Sequence, residues 1–234
     1  MALLFQSVLA VHLAAGAVAL SVFWVPLVTK KGGRTHRRAG WAYVVAAATL
    51  AITGFLLCIQ LVSSGGPWRW RAGVFLAYVS VLAGASAQFG VRALRTKGRA
   101  RASRGAVDLV PPLLLVAGGV ALAALGIHRS MVLYVLFAAL GMALGLSQLR
   151  FWLTPPAHER AWFLAHMSGM GTSCITTVTA FFVVNARSFG MRTFDLPLWA
   201  GPIAVLAFGL TMWRRYYARR FTGKGAPGGA PRVQ

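Results

Sequence analysis

Long apolar runs alternate with short polar segments along nearly the whole chain. Each run has about the 20 residues that an α-helix needs to cross a hydrocarbon core ~30 Å thick. We therefore predict an all-α integral membrane protein with a bundle of seven transmembrane helices. The predicted spans cover residues 3–27, 41–62, 72–93, 109–127, 131–149, 163–185 and 196–213. Because the connecting segments are short, we expect one membrane domain over residues 1–220 and a flexible basic cytoplasmic tail over residues 221–234.

Four residues near the predicted helix ends have the chemistry that a helix terminus favours. Asp108 stands where an N-cap of span four would help. Pro155 suits the first turn of span six, and Glu159 places negative charge near the same helix start. Asn185 suits the end of that helix because Asn tolerates left-handed backbone conformations. The helix that contains span six is therefore expected to begin near Pro155, before the apolar stretch, and to end near Asn185.

The sixth span differs from the others because polar groups interrupt its apolar sequence, FLAHMSGMGTSCITTVTAFFVVN. Residues three and four apart are neighbours on a helix, so one face collects His166, Met170, Ser173 and Thr177. An ionisable side chain inside a span is costly and usually faces protein, a cavity or a ligand. We expect this face to point into the bundle. The Ser, Thr and Gly residues also suit close helix packing, and that interpretation stays open.

The composition agrees with a membrane protein, since 58% of residues are hydrophobic, 12% are charged, and the mean hydropathy is +0.67. A soluble domain carries about a quarter charged residues. The chain has 24 Lys and Arg but only 3 Asp and Glu, which gives a net charge of +21. These basic residues lie between the spans, and no motif for cradling phosphate or reading bases is present. We therefore expect no nucleic-acid partner, and we expect anionic lipid headgroups to contact the basic cytoplasmic loops.

The distribution of basic residues predicts the orientation of the bundle. Nineteen of the 24 Lys and Arg lie in alternate loops and in the C-terminal tail, and the other loops carry five. Positive charge favours the cytoplasmic side of a membrane. We therefore predict that the N-terminus is outside and that the C-terminus is cytoplasmic.

Two classes of function have no visible machinery in the sequence. Cys58 and Cys174 both lie within predicted spans, so they offer neither a disulfide framework nor a C-x-x-C motif. Hydrolysis lacks a Ser-His-Asp set, an H-E-x-x-H motif and a nucleophile elbow, and three acidic residues give little choice of general base. The histidines are the stronger candidates for chemistry.

Two histidines on different helices can bind a b-type haem, one on each side of the iron, because bundles build cofactor sites from facing helices. From a rise of ~1.5 Å per residue, His12 and His166 differ in depth by about 15 Å. His36 and His158 lie near the cytoplasmic face, as His166 does. We therefore expect His166 to pair with His36, or with His12 if the spans are offset, and we expect Met170 to line the cofactor pocket.

Two other hypotheses use the same side chains. His36, His158 and His166, with Glu159 nearby, supply the imidazole and carboxylate ligands that zinc or copper accept, and a proton relay through His166 is a variant of this hypothesis. In the third hypothesis the intramembrane histidines bind no cofactor and only hydrogen-bond across helices. The sequence identifies no reaction, and all three hypotheses stay open.

Two segments of the sequence resemble one family. The segment HLAAGAVALSVFWVPLVTKKGGRTHRRAGWAYV resembles the N-terminal signature of the DUF2306-type predicted bacterial membrane proteins, and HMSGMGTSCITTVTAFFVVN is similar to a later segment of that family. The resemblance implies a bacterial inner membrane location and no reaction. It marks seven positions, which are His12, His36, Arg37, Gly40, His166, Met170 and Asn185. In outline the histidine-bearing bundle is also similar to cytochrome b561-like proteins, a fold-level analogy that does not carry function.

Overall fold

The computed structural model describes residues 2–221. Eight α-helices account for most of these residues, and a short 3₁₀ turn covers Ala186–Phe189. The helices are α1 (Ala2–Val22), α2 (Trp24–Val28), α3 (Arg34–Ser63), α4 (Pro67–Arg95), α5 (Ala106–His128), α6 (Val132–Leu153), α7 (Ala161–Val184) and α8 (Leu196–Phe221). The predicted flexible tail falls almost entirely on residues 222–234, which lie outside the described residues.

Seven helical segments among the described residues are long and apolar enough to cross a membrane, as the sequence predicted. The first of them, Leu3–Val28, combines α1 with α2. The helix is interrupted at Phe23 because Pro26 has no N–H to donate and its ring clashes with the carbonyl four residues earlier, at Val22.

The spans extend into basic sequence that hydropathy alone does not mark as helical. The second span begins at Arg34 and not at residue 41, so His36 lies on the first turn of α3 and not in a loop. α8 continues to Phe221, beyond the predicted end at residue 213. Basic residues are good helix formers and their long side chains can reach polar surroundings, so a helix can outlast its apolar stretch.

Two predicted helix starts are wrong. α5 begins at Ala106 with Gly105 as its N-cap, so Asp108 does not cap the helix. Its buried carboxylate instead accepts two hydrogen bonds from Arg92, at 2.7 and 3.0 Å, and one from the Ser103 hydroxyl at 2.6 Å. These bonds tie the start of α5 to the end of α4.

The start of span six is the second correction. α7 begins at Ala161 with Arg160 as its N-cap, so Pro155 and Glu159 lie in the preceding segment and not in the first turn. The physical reason is the Pro155-Pro156 pair, since a residue before proline is pushed out of the helical region. At the other end Asn185 is the C-cap of α7, as expected, but its φ of −97° is not left-handed, so the predicted reason for Asn at this place is wrong.

The helices pack around α4 and α7, which lie against each other. α1 and α3 pack together on one side, and α3 also packs on α4. On the other side α5 and α6 form a tight antiparallel hairpin, and α8 packs on α7. The hairpin is joined to α4 by the Tyr78 hydroxyl, which donates to the Leu115 carbonyl oxygen at 3.0 Å.

One end of the bundle collects residues 29–33, 96–105 and 154–160 with the end of α8, and we call it the basic end. The Lys31 ammonium lies 4.6 Å from the centre of the Trp213 ring. The Arg99 guanidinium donates to main-chain carbonyls of Phe151, Trp152 and Thr154 at the end of α6. These contacts bring together loops that are far apart in the sequence.

Candidate functional site

The predicted polar face of α7 points into the bundle. The Tyr43 hydroxyl on α3 is hydrogen-bonded to the Ser173 hydroxyl at 3.0 Å and to the Thr177 hydroxyl at 3.2 Å. Met170, on the same face, packs against Gly90 of α4. The face therefore contacts two helices and not the surroundings of the bundle.

His166 lies where α4 and α7 cross most closely. Its Nδ1 donates to the Gly90 carbonyl oxygen at 2.9 Å. The crossing depends on two glycines, since a Cβ on Gly169 would lie 2.5 Å from the Gly90 nitrogen and a Cβ on Gly90 would lie 2.9 Å from the Met170 nitrogen. Because neither position carries a side chain, the imidazole on α7 can reach the main chain of α4.

His36 is fixed in a similar way at the basic end. Its Nδ1 donates to the Pro26 carbonyl oxygen at 3.1 Å. Lys31 donates to the same oxygen and to the Leu27 carbonyl oxygen, both at 2.7 Å. The last carbonyls of a helix have no partner within it, so they are free to accept these bonds. Burial lowers the pKa of the Lys31 ammonium below its ordinary value.

His36 on α3 and His166 on α7 make the same kind of hydrogen bond to a main-chain carbonyl. Each imidazole uses Nδ1–H to donate to a carbonyl, so its Nε2 carries the lone pair. Within residues 2–221, neither Nε2 has a hydrogen-bond partner.

The structure does not bring His12 to this pair. His12 Nδ1 is hydrogen-bonded to the Thr53 hydroxyl at 2.9 Å, and that hydroxyl donates to the Thr49 carbonyl oxygen at 2.6 Å. Thr53 lies about 25 Å further along α3 than His36, from the rise of ~1.5 Å per residue. His12 is therefore a separate polar contact between α1 and α3.

His158 also lies apart from the pair. It stands in the non-helical segment before α7 and lines two cavities on the side of the bundle that faces α6 and α8. Among the described residues, no three His, Cys, Asp or Glu side chains come together in a way that could hold a metal ion. The three-histidine metal site that we considered, with His36, His158 and His166, is therefore not assembled.

The larger cavity, of about 360 Å³, lies between α6 on one side and α7 and α8 on the other. Leu82 and Phe89 of α4 line its floor. A second row of α7 hydroxyls lines its wall, and this row comprises Ser168, Thr172, Thr176 and Thr179. Sequence reasoning missed this cavity, although spacings of four, four and three residues mark the row as one helical face.

The smaller cavity, of about 210 Å³, lies at the basic end and shares Phe151 and His158 with the larger one. Its charged lining residues are Lys97, Arg99 and Glu159. Burial lowers the pKa of the Arg99 guanidinium, and the nearby Asp108 carboxylate opposes that shift. His12, His36, His166 and Met170 line neither of these two cavities.

Comparison of the chain with protein-family models, with curated proteins and with solved structures gives no match.

Proposed function

We propose that the protein is a membrane-embedded redox module in which His36 and His166 bind the iron of one b-type haem, one imidazole on each side. One observation carries this proposal. Each imidazole is oriented by a bond from Nδ1–H to a main-chain carbonyl, and each Nε2 is left without a partner within residues 2–221.

That arrangement is the one in which histidine serves as a metal ligand. A ligating imidazole almost always donates its second ring N–H to a carbonyl, a carboxylate or water, which fixes the tautomer and makes the other nitrogen more basic. Pro26 and Gly90 supply the carbonyls here. A haem bound by these residues would supply one-electron chemistry. Met170, one turn beyond His166, offers a soft and polarizable neighbour.

The number of ligands favours haem over a zinc or copper ion bound only by protein. Zinc sites use three or four protein ligands, whereas a haem iron already has four porphyrin nitrogens and needs only axial ligands. Within residues 2–221, no three His, Cys, Asp or Glu side chains come together in a way that could hold such an ion. The donor set therefore agrees with a haem iron.

A cofactor-free bundle is the second candidate, and a specific observation favours it. Both imidazoles already make a hydrogen bond to another helix, and neither lines a described cavity. In this case the two histidines would only help to hold α3 and α7 in place, with about 1 kcal/mol per interhelical bond.

We further propose that the basic end faces the cytoplasm of a bacterium and that the N-terminus is outside. The excess of Lys and Arg at that end supports this orientation, and the two segments that resemble DUF2306-type proteins support the bacterial inner membrane. A reporter fused after Arg220 should read cytoplasmic and one fused at Met1 should read external. The opposite readings would overturn the orientation.

The absorption spectrum of the purified full-length chain tests the redox function. Expression with added haem precursor should give a Soret band and about one haem per chain, with sharpened visible bands after reduction by dithionite. A chain that carries no Soret band under these conditions would defeat the redox proposal and leave the cofactor-free bundle. Metal analysis of the same sample would detect a protein-bound ion in place of haem.

A further inference from the structure

The larger cavity exists because α6 packs little against α7 and α8. α6 packs mainly on α5, while α7 packs on α4 and α8. At the end opposite the basic end, the rings of Phe137 and Trp199 are 5.2 Å apart and edge-on. Near the basic end, Trp152 of α6 packs in one cluster with Ala165 of α7. The result is a cleft that is closed by aromatic rings at one end and reaches the basic end at the other.

The cleft has the length and the surface that suit a hydrocarbon chain. From Trp199 at its closed end to Arg214 at its mouth, α8 rises about 22 Å, which is most of the ~30 Å hydrocarbon thickness. The lining is mainly apolar. Three hydroxyls in its wall donate to carbonyls of their own helix, at 2.7 to 3.0 Å, and these are Ser168, Thr176 and Thr179. Those three donors are therefore satisfied without water.

The mouth of the cleft is cationic. Arg214 lines it and makes no hydrogen bond or ion pair within residues 2–221. The smaller cavity beside it brings Lys97, Arg99 and His158 together with one carboxylate, Glu159. Lys97 lies 4.6 Å from the centre of the Trp162 ring, which orients its ammonium.

Arg99 adds a buried donor without an acceptor. Its terminal nitrogens donate to the Phe151, Trp152 and Thr154 carbonyls, which fixes the guanidinium. Its Nε–H is buried and has no partner within the described residues. A buried, unpaired donor on a cation is costly, so an anionic oxygen at this place would be stabilised.

The two cavities share Phe151 and His158, so a cationic chamber continues into an apolar cleft. We propose that together they bind one anionic phospholipid, with an acyl chain in the cleft and the phosphate at the mouth near Arg214, His158 and the smaller cavity. This site is independent of the haem proposal, because His36 and His166 line neither cavity. The proposal places one specific lipid site at the basic end, in addition to the general attraction of its basic residues for anionic headgroups.

Native mass spectrometry of the full-length chain in detergent tests the proposal, with dioleoyl phosphatidylglycerol and dioleoyl phosphatidylcholine as probes with matched chains. We expect one phosphatidylglycerol to bind, and to bind more tightly than phosphatidylcholine. Arg214→Gln should weaken phosphatidylglycerol about fivefold, the effect of one basic residue near an anionic surface. Arg215→Gln is the matched control, because Arg215 carries the same charge on the same helix and lines neither cavity.

A second variant tests the acyl-chain part of the site. Thr172→Phe places a ring in the cleft and should abolish binding of both lipids, and Ala207→Phe should do the same from α8 if the first variant fails to fold. Equal losses in Arg214→Gln and Arg215→Gln, or full binding in both cleft variants, would overturn the proposal. Displacement of the lipid by millimolar inorganic phosphate would show that only the phosphate is bound, and it would contradict a site for the acyl chain. A lipid-free dimer that Thr172→Phe disrupts would place a second copy of the chain in the cleft instead.

Discussion

Two faces of α7 carry similar hydroxyl side chains in different surroundings. On the face toward α3 and α4, Ser173 and Thr177 are both hydrogen-bonded to the Tyr43 hydroxyl. They line neither of the two cavities. Toward α6 and α8, Thr176 and Thr179 bond only to their own helix and line a cavity of about 360 Å³. The difference lies in the neighbours of each face and not in the hydroxyls themselves.

The neighbours differ for physical reasons. Gly90 and Gly169 let α4 approach α7 closely, so the first face is covered by protein. α6 is held by α5, and α5 is held to α4 through Asp108 and Arg92, so α6 stands away from the second face. A row of hydroxyls on such a helix therefore indicates a polar face. The positions of the neighbouring helices determine whether that face is covered by protein or lines a cavity.

The largest loss of stability is expected at the contact between Asp108 and Arg92, which holds the α5–α6 hairpin to α4. Asp108→Ala should lower the free energy of unfolding by about 3 kcal/mol, because it leaves the Arg92 guanidinium without its buried charge partner. Arg92 is only partly buried, at 26% exposed, so we expect the lower end of the range for broken buried pairs. Unfolding in mild denaturant measures the loss.

Asp195→Ala is the matched control for that variant. The Asp195 carboxylate accepts one bond from the Arg192 main-chain N–H at 2.8 Å, and its removal should cost less than about 1 kcal/mol. Similar losses in the two variants would show that the Asp108 anchor does not hold the hairpin.

The close packing of α7 on α4 can be tested where the two helices cross at Gly90 and Gly169. Gly169→Leu should lower the free energy of unfolding by about 1–3 kcal/mol, because its Cβ alone would lie 2.5 Å from the Gly90 nitrogen and the helices must separate. The same substitution at Gly209 of α8 should be nearly neutral, since a Cβ there meets nothing within 4 Å. A stable Gly169→Leu protein would contradict the close crossing.

A smaller loss of stability is expected when the hydrogen bonds between Tyr43 of α3 and the hydroxyls of α7 are removed. Tyr43→Phe removes the group that joins Ser173 and Thr177 to α3, and we expect a loss of about 1 kcal/mol, typical of an interhelical hydrogen bond in a membrane bundle. Thermal unfolding of the purified protein measures it. An unchanged midpoint would mean that the α3–α7 hydroxyl contacts do not stabilise the bundle.

The smallest effect is expected on the cleft face. Thr176→Val keeps the shape of the side chain and removes a hydroxyl that bonds only to the Thr172 carbonyl of its own helix. The free energy of unfolding should change by less than about 0.5 kcal/mol. If Thr176→Val destabilised the bundle more than Tyr43→Phe, the contrast between the two faces would be wrong.

Local patterns in the sequence predicted the spans and the inward face of α7. Hydropathy depends only on neighbouring residues, and the spacing of His166, Met170 and Ser173 follows directly from the helical period. Helix starts were harder, because Pro155 and Asp108 have the right chemistry for a helix start and yet serve other roles. Tertiary contacts, such as the Arg92 bonds to Asp108, override such end signals.

The lateral arrangement of the helices could not be read from the sequence. His158 and His166 are eight residues apart, but residues 154–160 are not helical, so the spacing does not place both on one face. The cleft depends on α6 packing with α5, which no local pattern records. The pairing of His36 with His166 stays a prediction from their depth, and the carbonyl partners of their Nδ1 atoms required the structure.

The most direct test of the account is the haem content of three single variants expressed and purified side by side. His36→Gln and His166→Gln should each lower the haem content and the Soret band sharply while the protein still inserts into the membrane, because each removes one of the two imidazoles proposed to bind the iron. His12→Gln should keep the band, since His12 bonds to Thr53 far from this pair. A full Soret band in His36→Gln or His166→Gln, or its loss in His12→Gln alone, would contradict the two-histidine site.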